Sequence, residues 1–428
     1  MTDLLTVLRE RGMVHDATPG LAERLREGPI TAYVGFDPTA RSLHVGNLVP
    51  VMALSWLQRL GGRPMVLIGG GTGMVGDPSG KKSERQMLSP EIVESNAVAI
   101  KNQLSRFFEF GDGPTDAVMV NNADWLAGLG LLEFLRDTGK HFTISYMLQK
   151  DTVKSRLDTG ISFTEFSYML VQAHDFAHLA RSHRCELQMG GSDQWGNITA
   201  GIELAARRDG TKLHALVLPL LTTAAGTKFG KSESGNVWLD PGRTSPYQFH
   251  QFWLRTDDAD VERLLRFFTF LDLDEIARII AEHNQDPARR VAQRALADEL
   301  TSRIHGAGAV ERANLAAQIL FGGGELGGAD RDTLLMVRQE IPSVVITREQ
   351  LDAGIDTLDA FVMTGLAESK KQARQFLSTG ALRINDHVTD GSSRIGAGDV
   401  LNASDSIFLR RGKKQWAALR LEGSRSDT

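Results

Sequence analysis

YVGFDPTARSLHVGNLVP, residues 33–50, sets the reading of the whole chain. Its first residues complete a β-rich run, ITAYVGF (30–36), which the polar DPTA then turns. LVPVMALSWLQRLGG (48–62) follows with apolar residues at helical spacing and a Gly-Gly stop. Strand, turn and helix in that order bring a helix N-terminus, with its free N–H groups and positive dipole end, to the end of a strand. The spacing predicts that helix to begin near Leu43 or His44. His44 and Asn47 can donate to phosphate or ribose oxygens, Thr39 adds a hydroxyl, and Gly46 lets a flat ring or phosphate come close. A strand that only filled a core would need none of these. A strand that delivers its end to a nucleotide would.

Three more short runs match the first. PMVLIGG (64–70), CELQMGG (185–191) and HALVLPLL (214–221) are almost wholly apolar, as suits strands covered on both faces of a parallel sheet. Separated by helical stretches, they predict an α/β fold with a Rossmann-like parallel-sheet domain over 1–240. Ligands of such sheets bind beyond the carboxyl ends of the strands. The polar clusters DPTA, GGTGMVGDPSG, GGSDQWGN and TTAAGTKFGKS each follow a strand there. From 241 to 325 the pattern is helical and few β signals remain, which predicts an α-helical domain. The Gly-dense FGGGELGGAD (321–330) marks a break, and 326–350 reads as a linker. A small α+β unit over 351–428 closes the chain. There SKKQARQFLSTG has a Ser cap and a Gly380 stop, ALRINDHV turns at Asn385-Asp386, and SIFLRRGKKQWAALRL reads as a hairpin.

The totals bound the function. The 428 residues are 42 % hydrophobic and 24 % charged, ordinary for a globular protein of two or three domains. A net charge of −5 excludes a general polycation, so any nucleic-acid site must be a local basic cluster. Cys185 is the single cysteine, which excludes an intrachain disulfide framework or a multi-cysteine zinc site and fits a reducing compartment. The N-terminus lacks a signal-peptide core and no run is long enough to span a membrane, so a soluble cytoplasmic protein is expected.

A second signature lies far from the first. TKFGKSESG (227–235) places Lys228 and Lys231 three apart, split by Gly230 and followed by Ser232, in a loop after an apolar strand. Such a basic loop can close on a polyphosphate and neutralise charge on leaving pyrophosphate. With His44-Val45-Gly46-Asn47 it resembles the paired HIGH and KMSKS signatures of class I aminoacyl-tRNA synthetases. Asn47 stands for the second His and keeps a donor; Phe229-Gly230 stand for the middle pair. GDPSGKKSER, GKHFTISYML, ISFTEFSYMLVQAHDF and QMGGSDQWGNITAG narrow the resemblance to the bacterial tyrosyl-tRNA synthetase family, over nearly the whole chain. Its C-terminal unit resembles the S4 RNA-binding domain.

That resemblance implies activation of L-tyrosine by ATP to tyrosyl-adenylate, then transfer to the 3′ end of tRNA(Tyr). On the helix over 161–176, Tyr168, Gln172 and Asp175 share one face, which suits a small zwitterion with a polar tail. The resemblance implies that Tyr33 and Asp175 bond the substrate's phenolic hydroxyl, and that Asp77, Tyr168 and Gln172, with Gln194 nearby, hold its ammonium group. It implies nucleotide contacts from Gly35, Asp37, Thr39, His44, Gly46, Asn47, Gly191, Asp193 and Lys231. Lys81, Lys82 and Arg85 join Lys228 and Lys231 in clamping the departing phosphates. Val34 departs from a frequent Cys and His174 from a frequent Tyr; His174 is expected to be structural. Magnesium is expected with ATP, with no protein-ligated metal. Lys370, Lys371 and Arg374 on one helix, and Arg410, Arg411, Lys413 and Lys414 on a turn beside Trp416, are the cations expected to hold tRNA. A homodimer is implied, with 131–148 apolar enough to be its interface. A tryptophanyl enzyme is the rival within the class, and an RNA-binding protein on a retired scaffold is the rival outside it.

Overall fold

The computed structural model describes residues 3–76, 88–150, 153–154, 160–224, 226–227, 229–232, 235–401 and 404–423. Met1–Asp240 with Leu254–Leu296 form one compact unit, and Pro241–Trp253 with Ala297–Thr428 a second.

The first unit is built on a sheet of β1 (Asp16–Ala17), β2 (Thr31–Phe36), β3 (Arg63–Ile68), β4 (Val118–Asn121), β5 (Cys185–Gly191) and β6 (His214–Leu218). Its order is β1-β6-β5-β2-β3-β4; the two-residue β1 runs antiparallel to β6 and the rest are parallel. All of β6 and five of six residues of β3 are buried, which is why both read as unbroken apolar runs. The chain leaves β2 towards β3 and β4 on one side and returns at β5 on the other. The topological switch point, where sheets of this kind bind their ligands, therefore lies between β2 and β5.

Helices α1 (Leu48–Arg59), α2 (Pro90–Leu104), α3 (Leu131–Asp137), α4 (Phe163–His183) and α5 (Trp195–Asp209) belong to this unit. A 3-10 turn, Val45–Asn47, precedes α1, so the α-helix starts later than the sequence pattern suggested. The turn is held by a reciprocal cap: His44 Nδ1 accepts from Gly46 N, and Asn47 Oδ1 accepts from His44 N. Ser162 and Glu165 form the same kind of box at the start of α4. A Cβ at Gly201 of α5 would come within 2.9 Å of Phe176, so Gly lets α4 and α5 approach closely. Phe176, Ala177, Ile198, Leu204 and Val217 pack there into the main core. Burying a side chain such as Phe176 contributes about 1.5–3 kcal/mol.

The helices of 241–325, expected as one domain, are divided. α6 (Asp258–Phe268) and α7 (Leu273–Gln285) belong to the first unit, and α8 (Ala307–Ala317) to the second. The segment 326–350 is not an irregular linker. It contains α9 (Arg331–Gln339), capped by Asp330, and the strand β7 (Ser343–Ile346). Leu334, Met336 and Val337 of α9 share a core with Ile319, Leu320, Phe408 and Trp416, so apolar burial folds a stretch whose flanking glycines suggested a break. α10 (Thr357–Met363) and α11 (Lys370–Ser378) follow, with β8 (Leu382–Ile384), β9 (His387–Val388), β10 (Ser406–Arg411) and β11 (Gln415–Leu421). The second sheet runs β9-β8-β10-β11-β7, with β7 parallel to β11. Asn385 and Asp386, both at positive φ, make the two-residue turn between β8 and β9 that the sequence called for. Among the described residues no helix is long and apolar enough to cross a membrane.

Candidate active site

At the switch point, β2 supplies Tyr33 and α4 supplies Asp175, and both are almost fully buried. The Tyr33 ring meets Phe176 edge-on at 5.3 Å, and its hydroxyl is buried with no hydrogen-bond partner. Burial, with the neighbouring Asp175, pushes the Tyr33 phenol well above its usual pKa. Asp175 is fixed on both oxygens: Oδ2 accepts from Asn122 Nδ2 and Oδ1 from Trp125 Nε1, each at 2.8 Å. Burial raises its pKa to about 7 and these two donors oppose the rise. Asn122 is itself held, donating to Thr72 Oγ1 at 2.9 Å and accepting from Gly71 N at 2.7 Å. Trp125 stacks on His178 at 4.4 Å. A buried hydroxyl lacking a partner beside a buried carboxylate leaves hydrogen-bonding capacity unused at this point.

Asn122 and Trp125 escaped the sequence reading. They lie in NNADWL, an unremarkable stretch, 53 and 50 positions from the carboxylate they hold. Tyr168 and Gln172 are buried on α4 as their spacing implied, and Gln172 Nε2 donates to Gln194 Oε1 at 3.4 Å. Asn197 Nδ2 donates to the same oxygen at 3.2 Å. His174 is buried and takes the structural place expected of it, with Nδ1 2.9 Å from Thr138 Oγ1 and its pKa lowered to about 4 by burial.

The residues expected to contact nucleotide gather at the ends of β2 and β5. Gly35, Thr39 and Asp193 are exposed, and Asp37, His44, Gly46, Asn47, Gly191 and Gln194 are half-buried. Val34 is buried in the strand. Because His44 Nδ1 accepts from Gly46 N, a neutral ring carries its proton on Nε2 and presents a donor there. A Cβ at Gly191 would fall 2.5 Å from Asp193 Oδ1, so only Gly allows that carboxylate its position.

The two signature stretches meet. Gly230 has φ +91°, and a Cβ there would lie 3.1 Å from Gly46 N and 3.0 Å from Val45 Cγ2. Val237 N donates to Gly230 O, Val45 N to Val237 O, and Leu239 N to Leu43 O. His44 and Trp238 form a β-bridge, with rings 5.8 Å apart. The loop is anchored at its stem by α6: Ala224 N donates to Asp260 Oδ2 at 2.8 Å and Arg263 Nη2 to Thr222 O at 2.6 Å. The Phe229 ring stacks on Phe268 of the same helix. Asp77, Lys81, Lys82, Arg85 and Lys228 lie outside the described residues, and of Lys231 the backbone is described, in a short hairpin with Asn236.

A family model described as tRNA synthetases class I (W and Y) matches residues 25–322, and one described as the tyrosine--tRNA ligase SYY-like C-terminal domain matches 334–419. A tyrosine--tRNA ligase of Anaeromyxobacter dehalogenans (strain 2CP-1) is 56 % identical across 98 % of this chain and 100 % of its own. The chain belongs to the class I tyrosine–tRNA ligases. Another relative, a tyrosine--tRNA ligase of Roseiflexus castenholzii, is 49 % identical over the same shares of the two chains. Among solved structures, a C-terminally truncated mitochondrial tyrosyl-tRNA synthetase of Aspergillus nidulans superposes with a TM-score of 0.66 at 35 % identity, covering 75 % of this chain and 95 % of that one. The ligase joins tyrosine to tRNA with ATP as its substrate.

In the second unit, Lys371 and Arg374 of α11 are exposed, and Lys370, also exposed, pairs with Asp359 at 2.7 Å. Lys413 and Lys414 are exposed on the β10–β11 turn. Arg411 is half-buried, over the Phe376 ring at 4.7 Å with Nη1 donating to Leu366 O. Arg410 and Trp416 differ from the expected surface cluster. Both are buried, stacked at 4.7 Å, because cross-strand pairing turns them to the same covered face.

Proposed function

We propose that tyrosine is activated in the cleft between β2 and β5, with its phenol bonded between Tyr33 and Asp175. The single observation that carries this reading is the buried, partnerless Tyr33 hydroxyl beside a carboxylate held by Asn122 and Trp125. Tyr168, Gln172 and Asp77 receive the ammonium group, with Gln194 holding Gln172 in place. The substrate carboxylate is already ionised and attacks the α-phosphorus in line, so no general base is required. Thr39, His44 Nε2–H and the Asn47 amide donate to phosphate oxygens, while Gly46 and Gly191 leave room for ribose and adenine and Asp193 accepts from the ribose hydroxyls. Lys81, Lys82, Arg85, Lys228 and Lys231 stabilise the charge on departing pyrophosphate. Mg2+ enters with the nucleotide, held by its phosphates and water.

Two further parts of the reading concern the assembly. The ligase acts as a homodimer: on α3 Leu131 and Leu132 are 70 % and 80 % exposed, and Leu135, Ile144 and Phe163 are exposed too, an apolar area that supports docking of a second copy. The C-terminal unit, S4-like, holds tRNA through Lys371, Arg374, Lys413 and Lys414, and the enzyme works in the cytoplasm, which suits its free, buried Cys185. Amino-acid-dependent ATP–pyrophosphate exchange without tRNA, run across all twenty amino acids, tests the core of the proposal. Exchange with tyrosine alone is expected. Exchange with tryptophan, or none from folded protein, defeats the assigned roles of Tyr33 and Asp175.

A further inference from the structure

A hairpin-like turn delivers the KFGKS stretch. Leu221 O accepts from Phe229 N at 3.1 Å, and Thr223 N donates to Thr227 O at 2.8 Å. The hydroxyls of Thr223 and Thr227 also meet at 2.8 Å. Backbone groups in an antiparallel ladder alternate between the partner strand and the outer edge. Thr222 and Ala224 therefore present theirs on the outer edge, where such groups ordinarily face water or another strand. Here side chains of α6 meet them. Arg263 Nη2 donates to Thr222 O at 2.6 Å, and Asp260 Oδ2 accepts from Ala224 N at 2.8 Å. Both bonds are charge-assisted. Asp260 and Arg263 also pair with each other at 2.7 Å across one helical turn, so each fixes the other. On the returning arm, the Phe229 ring stacks on Phe268 of the same helix.

The helix is itself tied to the other signature stretch. Arg11, buried near the C-terminal end of α6, donates to Arg266 O at 3.0 Å, Thr269 O at 3.1 Å and Leu271 O at 2.7 Å. Its guanidinium lies 4.2 Å over the ring of Trp56, on the helix α1 that follows the HVGN turn. α6 is thus a frame fixed to α1 at one end and to the KFGKS hairpin along its length. Gly230, resting on Gly46, is followed directly by Lys231. A misplacement of about 1 Å at a reacting centre can cost about a hundredfold in rate. We infer that Asp260 and Arg263 are positioning residues for the activation step, acting through the hairpin's outer edge to place Lys231. The inference rests on the role proposed above for Lys231 on departing pyrophosphate.

Quenched-flow rates of tyrosyl-adenylate formation and tyrosine Kd by equilibrium dialysis, both on the full-length enzyme, test it. Asp260→Ala and Arg263→Met are expected to slow adenylate formation roughly tenfold or more at saturating substrates, with tyrosine Kd changed less than about twofold. Asp260→Asn keeps an acceptor for Ala224 N and should recover part of the rate. The Arg263 side chain is 42 % exposed, so Arg263→Met spares the fold even where Asp260→Ala does not. Adding Asp260→Ala to Lys231→Ala should slow the reaction no further than Lys231→Ala alone, because both act through one group. Native rates in the two α6 variants, a tyrosine Kd that rises as far as the rate falls, or losses that multiply with Lys231→Ala overturn the inference. A native rate in Lys231→Ala by itself defeats the role proposed for Lys231 and takes this inference with it. Native rates in the α6 variants beside an impaired Lys231→Ala defeat this inference alone.

Discussion

Replacing Trp125 by Phe would remove one of the two donors that hold Asp175, while keeping an aromatic ring in the stack on His178. A hydrogen bond to a charged group contributes about 1.5–3 kcal/mol. At about 1.4 kcal/mol per pKa unit, its loss moves the Asp175 carboxyl up by roughly one to two units from its present value of about 7. On the proposed reading, the ionised form is the one that accepts the substrate's phenolic proton. At pH 7.5 the ionised fraction falls from about 0.76 for a pKa of about 7 to about 0.24 or about 0.03 after a rise of about one or two units. Tyrosine Kd is therefore expected to rise roughly 3- to 25-fold at that pH, and the variant-to-native ratio to shrink to about twofold or less by about pH 9. Equilibrium dialysis of labelled tyrosine from pH 6 to 9 reads both, and the ratio cancels titration of the amino acid itself. The native enzyme should also lose affinity as pH falls below about 7, because the raised carboxyl is then protonated. A loss of equal size at every pH would mean a packing defect, and no loss at pH 7.5 would mean that Asp175 binds tyrosine without needing its charge.

Other perturbations test the rest of the site. Gly230→Ala must accept a φ of +91° and a contact 3.1 Å from Gly46 N; at about 1–2 kcal/mol for a left-handed residue, adenylate formation should slow roughly 5- to 30-fold with tyrosine affinity intact. An unaltered rate would show that the loop does not rest on Gly46 during the reaction. Lys231→Ala should lower the activation rate far more than tyrosine binding, and equal losses in stopped-flow rate and dialysis Kd would contradict its role on pyrophosphate. Leu132→Asp, at a position 80 % exposed, should convert a dimer into a folded monomer by sedimentation equilibrium; a native mass would place the interface elsewhere. A chain ending at residue 350 keeps Leu334, Met336 and Val337 but loses Phe408 and Trp416, which cover them. It should aggregate, and a cooperative thermal transition equal to that of the full chain would mean that α9 does not depend on that core.

The sequence by itself determined what near neighbours decide. Apolar runs gave β2, β3, β5 and β6, a Ser–Glu box began α4, and Asn385-Asp386 turned a hairpin. The HVGN and KFGKS stretches carried the family resemblance, since their residue types and spacing are those of the paired class I signatures. Tertiary structure decided which distant groups share a site and which face of a strand is covered. It brought Asn122 and Trp125 to Asp175 and set Gly230 on Gly46. It also folded 326–350 into the core of the second unit and buried Arg410 and Trp416, which the sequence reading had placed in a basic cluster on a turn. Propensity, caps and turns act over a few residues and can be read along the chain. Burial is set by what packs from elsewhere, and no local pattern records which of two strand faces that will be.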